Sequence, residues 1–156
     1  TLMLACSASL AYGRRLHVTA SQIQRRTVSH PAMLTGNGAI RLKVLTFNIR
    51  CDTGERDPAD SWGHRQGERR QAVVDFLEKE GADVFGLQEV KPAQLRFLAN
   101  GLAATYNHAG IGRERWGFGE ASPVFFKKSS FELLRTEMRW LSADPTRVGS
   151  KYDGAG

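Results

Sequence analysis

Cysteine is nearly absent, with only Cys6 and Cys51 among 156 residues. Two thiols so far apart make neither a disulfide framework nor a zinc-ligand spacing, and they leave the redox compartment open. Apolar runs are short, and none approaches the roughly 18 residues that a membrane-spanning helix needs. Acidic residues are missing from the first 51 positions, where Arg14, Arg15, Arg25, Arg26, Arg41, Lys43 and Arg50 give a charge of +7. Residues 52–156 hold 15 basic and 16 acidic side chains, a balance of −1, so the overall +6 belongs to the front of the chain. A long basic groove for nucleic acid needs its charge in the folded part, and that class loses its compositional support. Arg113 and Arg115 remain as a local basic pair, for which a solvated loop is the simpler explanation.

A hydrophobic content of 41% over this length suits one globular domain or part of a larger one. Residues 1–40 read as a separate leader, rich in Ser, Thr, Ala and Arg, without carboxylates and expected to be disordered. An organelle transit peptide, mitochondrial or other, fits that composition. Leu2 to Leu10 also suits the apolar part of a secretory signal, Leu4-Ala5-Cys6 resembles a lipoprotein cleavage site, and an extension without function is a further reading. Because the chain opens on Thr1, upstream sequence and a start at Met33 are both open.

The pattern changes at Arg41. Leu42 to Asn48 alternates and is β-branched and aromatic, which predicts a buried strand ending at Asn48. A polar loop to about Gly63 follows, then a helix showing Ala72, Val73, Phe76 and Leu77 at helical spacing and stopped by Gly81. Val84 to Gln88 reads as a second strand with Glu89 at its end, and Pro92 suits the first turn of a second helix presenting Leu95 and Leu98. Strand, helix and strand in this span make a βαβ unit with parallel strands, so Asn48 and Glu89 come out at one sheet edge. Further strands are expected near Thr105–His108, at Pro123–Lys127 and at Phe131–Trp140, with Lys128-Ser129-Ser130 as a tight connection between the last two. The class is α/β (α+β) with a mixed sheet.

Ligands of α/β sheets gather at the carboxyl ends of strands, which makes the Asn48 and Glu89 edge the candidate site. Mg²⁺ prefers oxygen ligands, keeps most of its waters and takes only one or two protein carboxylates plus substrate phosphate, so a single strand-end Glu is enough protein ligation in principle. Taken alone, a Glu after a strand is more often a solvated loop residue, and an Asn there more often a turn former. Gly110-Ile111-Gly112 is no dinucleotide fingerprint, since Arg115 stands where glycine is needed and no helix opens there. Phe125 and Phe126 share a strand, and at least one should be core. Trp116 and Phe118, in a loop, are candidates for substrate contact. His64 and His108 are most simply surface or packing residues.

Leu45-Thr46-Phe47-Asn48-Ile49-Arg50, followed by Asp83-Val84-Phe85-Gly86-Leu87-Gln88-Glu89-Val90, resembles the first two signatures of the endonuclease/exonuclease/phosphatase family. The likeness continues through Ser61-Trp62 with Arg65, through Gly117 to Glu120 leading into Ser122 to Phe126, and into Trp140-Leu141-Ser142 with Pro145 and Gly149-Ser150-Lys151. It covers residues 41–156. It looks most like the small bacterial-type members and more distantly like the carbon catabolite repressor group of RNA deadenylases. The resemblance implies the first half of a deoxyribonuclease-I-like fold, a two-sheet β-sandwich flanked by helices. It also implies metal-assisted hydrolysis of a phosphodiester or phosphomonoester, with RNA 3′–5′ exonuclease-like chemistry and nucleotide substrates within range. Glu89 matches the ligand of the catalytic Mg²⁺ or Mn²⁺, Asn48 a residue that orients groups in the phosphate site, and Glu120 a glutamate assigned a supporting role toward substrate.

Some members carry an aspartate two residues after the strand-end asparagine, where this chain has Arg50. The family's general-base histidine, Asp-x-Asn pair and closing Ser-Asp-His segment belong to the second half of the domain and have no counterpart here. These residues are therefore expected to make an inactive fragment of an active parent hydrolase. A degenerate binding module, or a phosphate- or nucleotide-binding α/β domain of coincidental likeness, are the competing readings.

Overall fold

The computed structural model describes residues 2–5, 17–25, 41–54, 61–63 and 68–151. Cys6, His30, Met33, His64 and Arg65, which the sequence reading singled out, lie outside them. Strand β1 spans Leu2–Ala5, β2 His17–Arg25 and β3 Val44–Asn48; helix α1 spans Glu68–Glu80, β4 Val84–Gln88, helix α2 Pro92–Gly101, β5 Tyr106–Ala109, β6 Val124–Lys127 and β7 Phe131–Trp140. No helix among the described residues is long and apolar enough to cross a membrane.

One sheet has the order β3-β4-β6-β5. β3 and β4 are parallel, in register from Val44 opposite Val84 to Asn48 opposite Gln88, whereas β6 runs antiparallel to both β4 and β5. The mixed sheet expected from the pattern is therefore present. β3, β4 and β5 all point the same way, and their carboxyl ends share one edge. At the opposite edge Asp83 ties three strands together, accepting from Lys43 N at 2.9 Å and pairing with Lys127 Nζ at 3.1 Å.

β4 is buried on both faces, as an inner strand of a covered sheet should be. On one face Phe85 stacks on Phe125 with centroids 5.0 Å apart, and Leu77, Leu98 and Leu102 pack there from the helices and the turn after α2. Fully burying each such side chain stabilises the fold by about 1.5–3 kcal/mol. On the other face Val84, Val124 and Phe126 meet Phe131 at the start of β7. Both Phe125 and Phe126 are thus core, one on each face.

The periodicity of α1 places its stripe slightly wrongly. Val73, Val74 and Leu77 are buried, while Ala72 is exposed and Phe76 remains 38% exposed. Phe76 instead leans on Phe47 of β3, centroids 5.1 Å apart, because β3 is the edge strand and the helix overhangs the end of the sheet there. Gly81 stops the helix with φ 55° and donates its N–H to Leu77 O at 3.1 Å.

The other sheet has the order β1-β2-β7 and is antiparallel. The expectation of a wholly unstructured segment 1–40 is corrected for two stretches, since Leu2–Ala5 and His17–Arg25 are strands. His17 to Arg25 contains β-branched Val18, Thr19 and Ile23, and it satisfies the backbone of a ten-residue strand that is otherwise an open edge. The short connection at Lys128 to Ser130 also differs from a simple hairpin, because β6 and β7 belong to different sheets.

Candidate active site

Asn48 and Glu89 sit side by side where β3 and β4 end. Asn48 Nδ2 donates to Glu89 Oε1 at 3.0 Å, and Cys51 N donates to Glu89 Oε2 at 3.1 Å. Arg50 N donates to Asn48 Oδ1 at 2.8 Å, so the chain turns back on the asparagine side chain, as Asx turns do. Both strands terminate on non-glycine residues in left-handed backbone, with φ 58° at Arg50 and 61° at Glu89. Each such residue costs about 1–3 kcal/mol and persists only where its surroundings hold it.

Two side chains supply that hold. Gln94 of α2 is fully buried, and its Oε1 accepts from Asp52 N and from Lys91 N, each at 3.0 Å. Its Nε2 donates to Arg50 O at 3.1 Å. One amide therefore joins the loop after β3 to the start of α2, and the contact with Lys91 N is the back-reaching half of a capping box. Arg69 of α1 donates through Nη1 to Ile49 O at 2.8 Å and Arg50 O at 3.0 Å, while its guanidinium lies 5.4 Å from the centroid of the buried Trp62 ring. The sequence reading missed both residues. Gln94 shares the inward face of α2 with Leu98, four residues on, and a polar residue on an apolar stripe was the available signal.

The third part is the loop from Gly110 to Glu120, which rises from the end of β5 and so from the same edge. Arg113 N donates to Glu120 O at 3.0 Å and Glu114 N to Phe118 O at 2.8 Å, which folds the loop into a narrow hairpin. The Arg113 guanidinium pairs with the buried Glu120 carboxylate at 2.9 Å, Lys91 Nζ lies 4.0 Å from the other Glu120 oxygen, and Trp140 Nε1 donates to Arg113 O at 2.8 Å. A Cβ on Gly112 would come within 2.2 Å of Gly117 O, so the two arms approach as only glycine permits. Glu120 therefore staples the base of the loop, and Trp116 and Phe118 stand at its tip, 86% and 62% exposed.

The pattern of the endonuclease/exonuclease/phosphatase family matches residues 45–153, which include Asn48, Glu89 and the loop. The chain belongs to this family. Among solved structures, an endonuclease/exonuclease/phosphatase from Bacteroides vulgatus is 32% identical with a TM-score of 0.63, over 71% of this chain and 41% of that one. A mannosyl-6-phosphatase from Bacteroides thetaiotaomicron is 29% identical with a TM-score of 0.64, over 72% and 40%. A conserved protein of unknown function from Enterococcus faecalis is 29% identical with a TM-score of 0.63, over 74% and 42%. The chain spans about two fifths of the length of these relatives. No curated protein matches it.

Endonuclease/exonuclease/phosphatase proteins are generally hydrolases of phosphate esters that use divalent metals. Among the described residues no three of His, Cys, Asp and Glu gather into a metal cluster. Glu89 nevertheless offers the hard oxygen chemistry that Mg²⁺ or Mn²⁺ takes, at a strand-end edge and fixed by an amide and a backbone N–H, and that fits a largely hydrated ion. The Asn48 amide oxygen faces Arg50 N, so Asn48 orients Glu89 through its nitrogen. His108 stands apart on β5, stacked on Phe125 with centroids 5.2 Å apart, and desolvation lowers its pKa below the ordinary histidine value.

Proposed function

We propose that the protein to which this chain belongs hydrolyses phosphate esters with Mg²⁺ or Mn²⁺ held at Glu89. The observation that carries the reading is the Asn48–Glu89–Cys51 constellation, in which both carboxylate oxygens are aimed by hydrogen bonds on a strained turn. The metal, when bound, draws charge off the phosphoryl oxygens and lowers the barrier to attack by water. Glu89 supplies the protein carboxylate, Asn48 and Cys51 N fix its orientation, and Gln94 and Arg69 hold the turn that lets Cys51 N reach it. Glu120 positions the loop that carries Trp116 and Phe118 toward substrate. Among the described residues no cluster of His, Cys, Asp and Glu forms around Glu89, and a site without a positioned base and further oxyanion contacts is expected to turn over no appreciable substrate.

Glu89→Gln tests the reading. The substitution keeps the shape and removes the charge, so Mn²⁺ binding measured by calorimetry should weaken at least ten-fold, and the metal-induced rise in melting temperature should disappear. Unchanged Mn²⁺ affinity in the variant would overturn the assignment. Metal-independent phosphate binding that survives the substitution would favour a non-catalytic phosphate- or nucleotide-binding module.

A further inference from the structure

The buried Glu120 carboxylate faces two cations. Arg113 Nη1 donates to its Oε2 at 2.9 Å, whereas Lys91 Nζ stands 4.0 Å from its Oε1, too far for a hydrogen bond. We propose that Lys91 is a phosphate-binding residue, whose ammonium takes an oxygen of the phosphate ester handled at Glu89. That role rests on the phosphoesterase reading of Glu89 and adds to it a ligand for the substrate itself.

The backbone fixes where Lys91 stands. Val90, the residue after Glu89, exchanges both hydrogen bonds with Ala121, at 3.2 and 2.7 Å, which sets Lys91 opposite Glu120 one step further on. Lys91 N is held in turn by Gln94 Oε1, the amide that also holds Asp52 N and Arg50 O. Two residues of chain span at most about 7 Å. A lysine anchored that close to Glu89 is within reach of a phosphate lying at the carboxylate edge.

Charge gives Lys91 something to do there. Arg113 neutralises Glu120, and with Glu89 committed to the metal Lys91 is a surplus cation, which a phosphate anion balances. Its side chain is 38% exposed, so an incoming anion can meet the ammonium. A compact ammonium with three donors on a flexible stem meets phosphate as a point charge and needs no bidentate geometry.

Fold stability does not account for a lysine at this place. Lys91 is the N-cap of α2, a position that favours Ser, Thr, Asp and Asn, and its side chain makes no cap hydrogen bond. The helix macrodipole disfavours a cation at that end, and a part-exposed contact at 4.0 Å returns little. Residues that break a local rule without a gain in stability are retained where a site uses them.

The test titrates the full chain by calorimetry, first with Mn²⁺ and then, at saturating Mn²⁺, with phenyl phosphate. Lys91→Gln should bind Mn²⁺ as the unsubstituted chain does and phenyl phosphate roughly ten-fold more weakly, at unchanged melting temperature. Lys91→Arg, which keeps the charge, should restore most of that affinity. Added NaCl should weaken phenyl phosphate binding more steeply in the unsubstituted chain than in Lys91→Gln, which lacks the charge that salt screens. If Lys91 only held Glu120 in place, Lys91→Gln would instead leave phosphate affinity alone and speed amide exchange at Arg113 and Glu114. Equal phenyl phosphate affinity in the two chains, or no saturable binding to the Mn²⁺-loaded chain, would overturn the role of Lys91 and leave Mn²⁺ binding at Glu89 standing. Failure of the unsubstituted chain to bind Mn²⁺ would sink the reading of Glu89 first and the role of Lys91 with it.

Discussion

Gln94 makes three hydrogen bonds from a position with no solvent exposure, and each reaches backbone of the turn that carries the site. Gln94→Leu fills the same space but strands the N–H groups of Asp52 and Lys91, at about 1–3 kcal/mol for each group left unsatisfied, while Arg50 O keeps its bond from Arg69. The variant should lose about 2–4 kcal/mol in denaturant unfolding. It should also bind Mn²⁺ more weakly well below its melting temperature, since Cys51 N no longer has a fixed place beside Glu89. A stability loss with intact Mn²⁺ affinity would reduce Gln94 to a packing residue. That Asn48 and Glu89 share an edge was legible in the sequence, because polar residues ending two β-patterned runs must do so if the strands are parallel. Gln94 showed only as a polar residue on the apolar stripe of α2, and Arg69 not at all, because an arginine in a helix is ordinary until tertiary structure engages it.

His108 belongs to the same scale and responds to pH. Its desolvation lowers the pKa from the usual 6.5, so the folded state binds a proton less readily than the unfolded chain. Stability is then fully present above about 6.5 and falls as pH drops through that value toward the lower folded pKa. Between pH 7.5 and 5.5 the melting temperature should fall further in the parent chain than in His108→Gln. Parallel curves would show that the imidazole titrates alike in both states.

At the scale of elements, the loop from Gly110 to Glu120 depends on one ion pair that is mostly out of water. Breaking a buried pair by removing one partner typically destabilises by about 3–5 kcal/mol, because the remaining charge stays buried. Glu120→Ala should cost an amount of that order and should speed amide exchange at Arg113 and Glu114, whose N–H groups close the hairpin. Exchange rates matching the parent would place the loop's rigidity elsewhere, with the Trp140 contact to Arg113 O as the next candidate. Sequence periodicity located α1, α2 and all five strands from residue 41 onward, since each is long enough to show its repeat. It could not say that Phe76 overhangs an edge strand, nor that the turn at Lys128 to Ser130 changes sheets. Those facts are set by strand order, which a local pattern does not carry.

At the scale of the whole molecule, β7 is the exposed joint. It lies at the edge of its sheet, pairs with β2 from His17 opposite Trp140 to Arg25 opposite Phe131, and carries Leu133 and Leu134, both more than 40% exposed. The register shifts between Gln22 and Ile23, so that Leu134 is the extra residue of a bulge and the two exposed leucines stand together in an irregular stretch of β7. Composition led residues 1–40 to be read as a leader, because Ser, Thr and Arg content reports solvation and targeting and says nothing about which strand a segment can pair with. If β2 is an integral partner of β7, a chain starting at Arg41 presents β7 with both edges open, which is the template for edge-to-edge association. Residues 41–156 should then melt lower than 1–156 and sediment as concentration-dependent oligomers, and Leu133→Lys should shift them back toward monomer. A monomeric 41–156 with an undiminished melting temperature would instead show that the pairing contributes nothing to the fold, as expected of a segment removed on maturation.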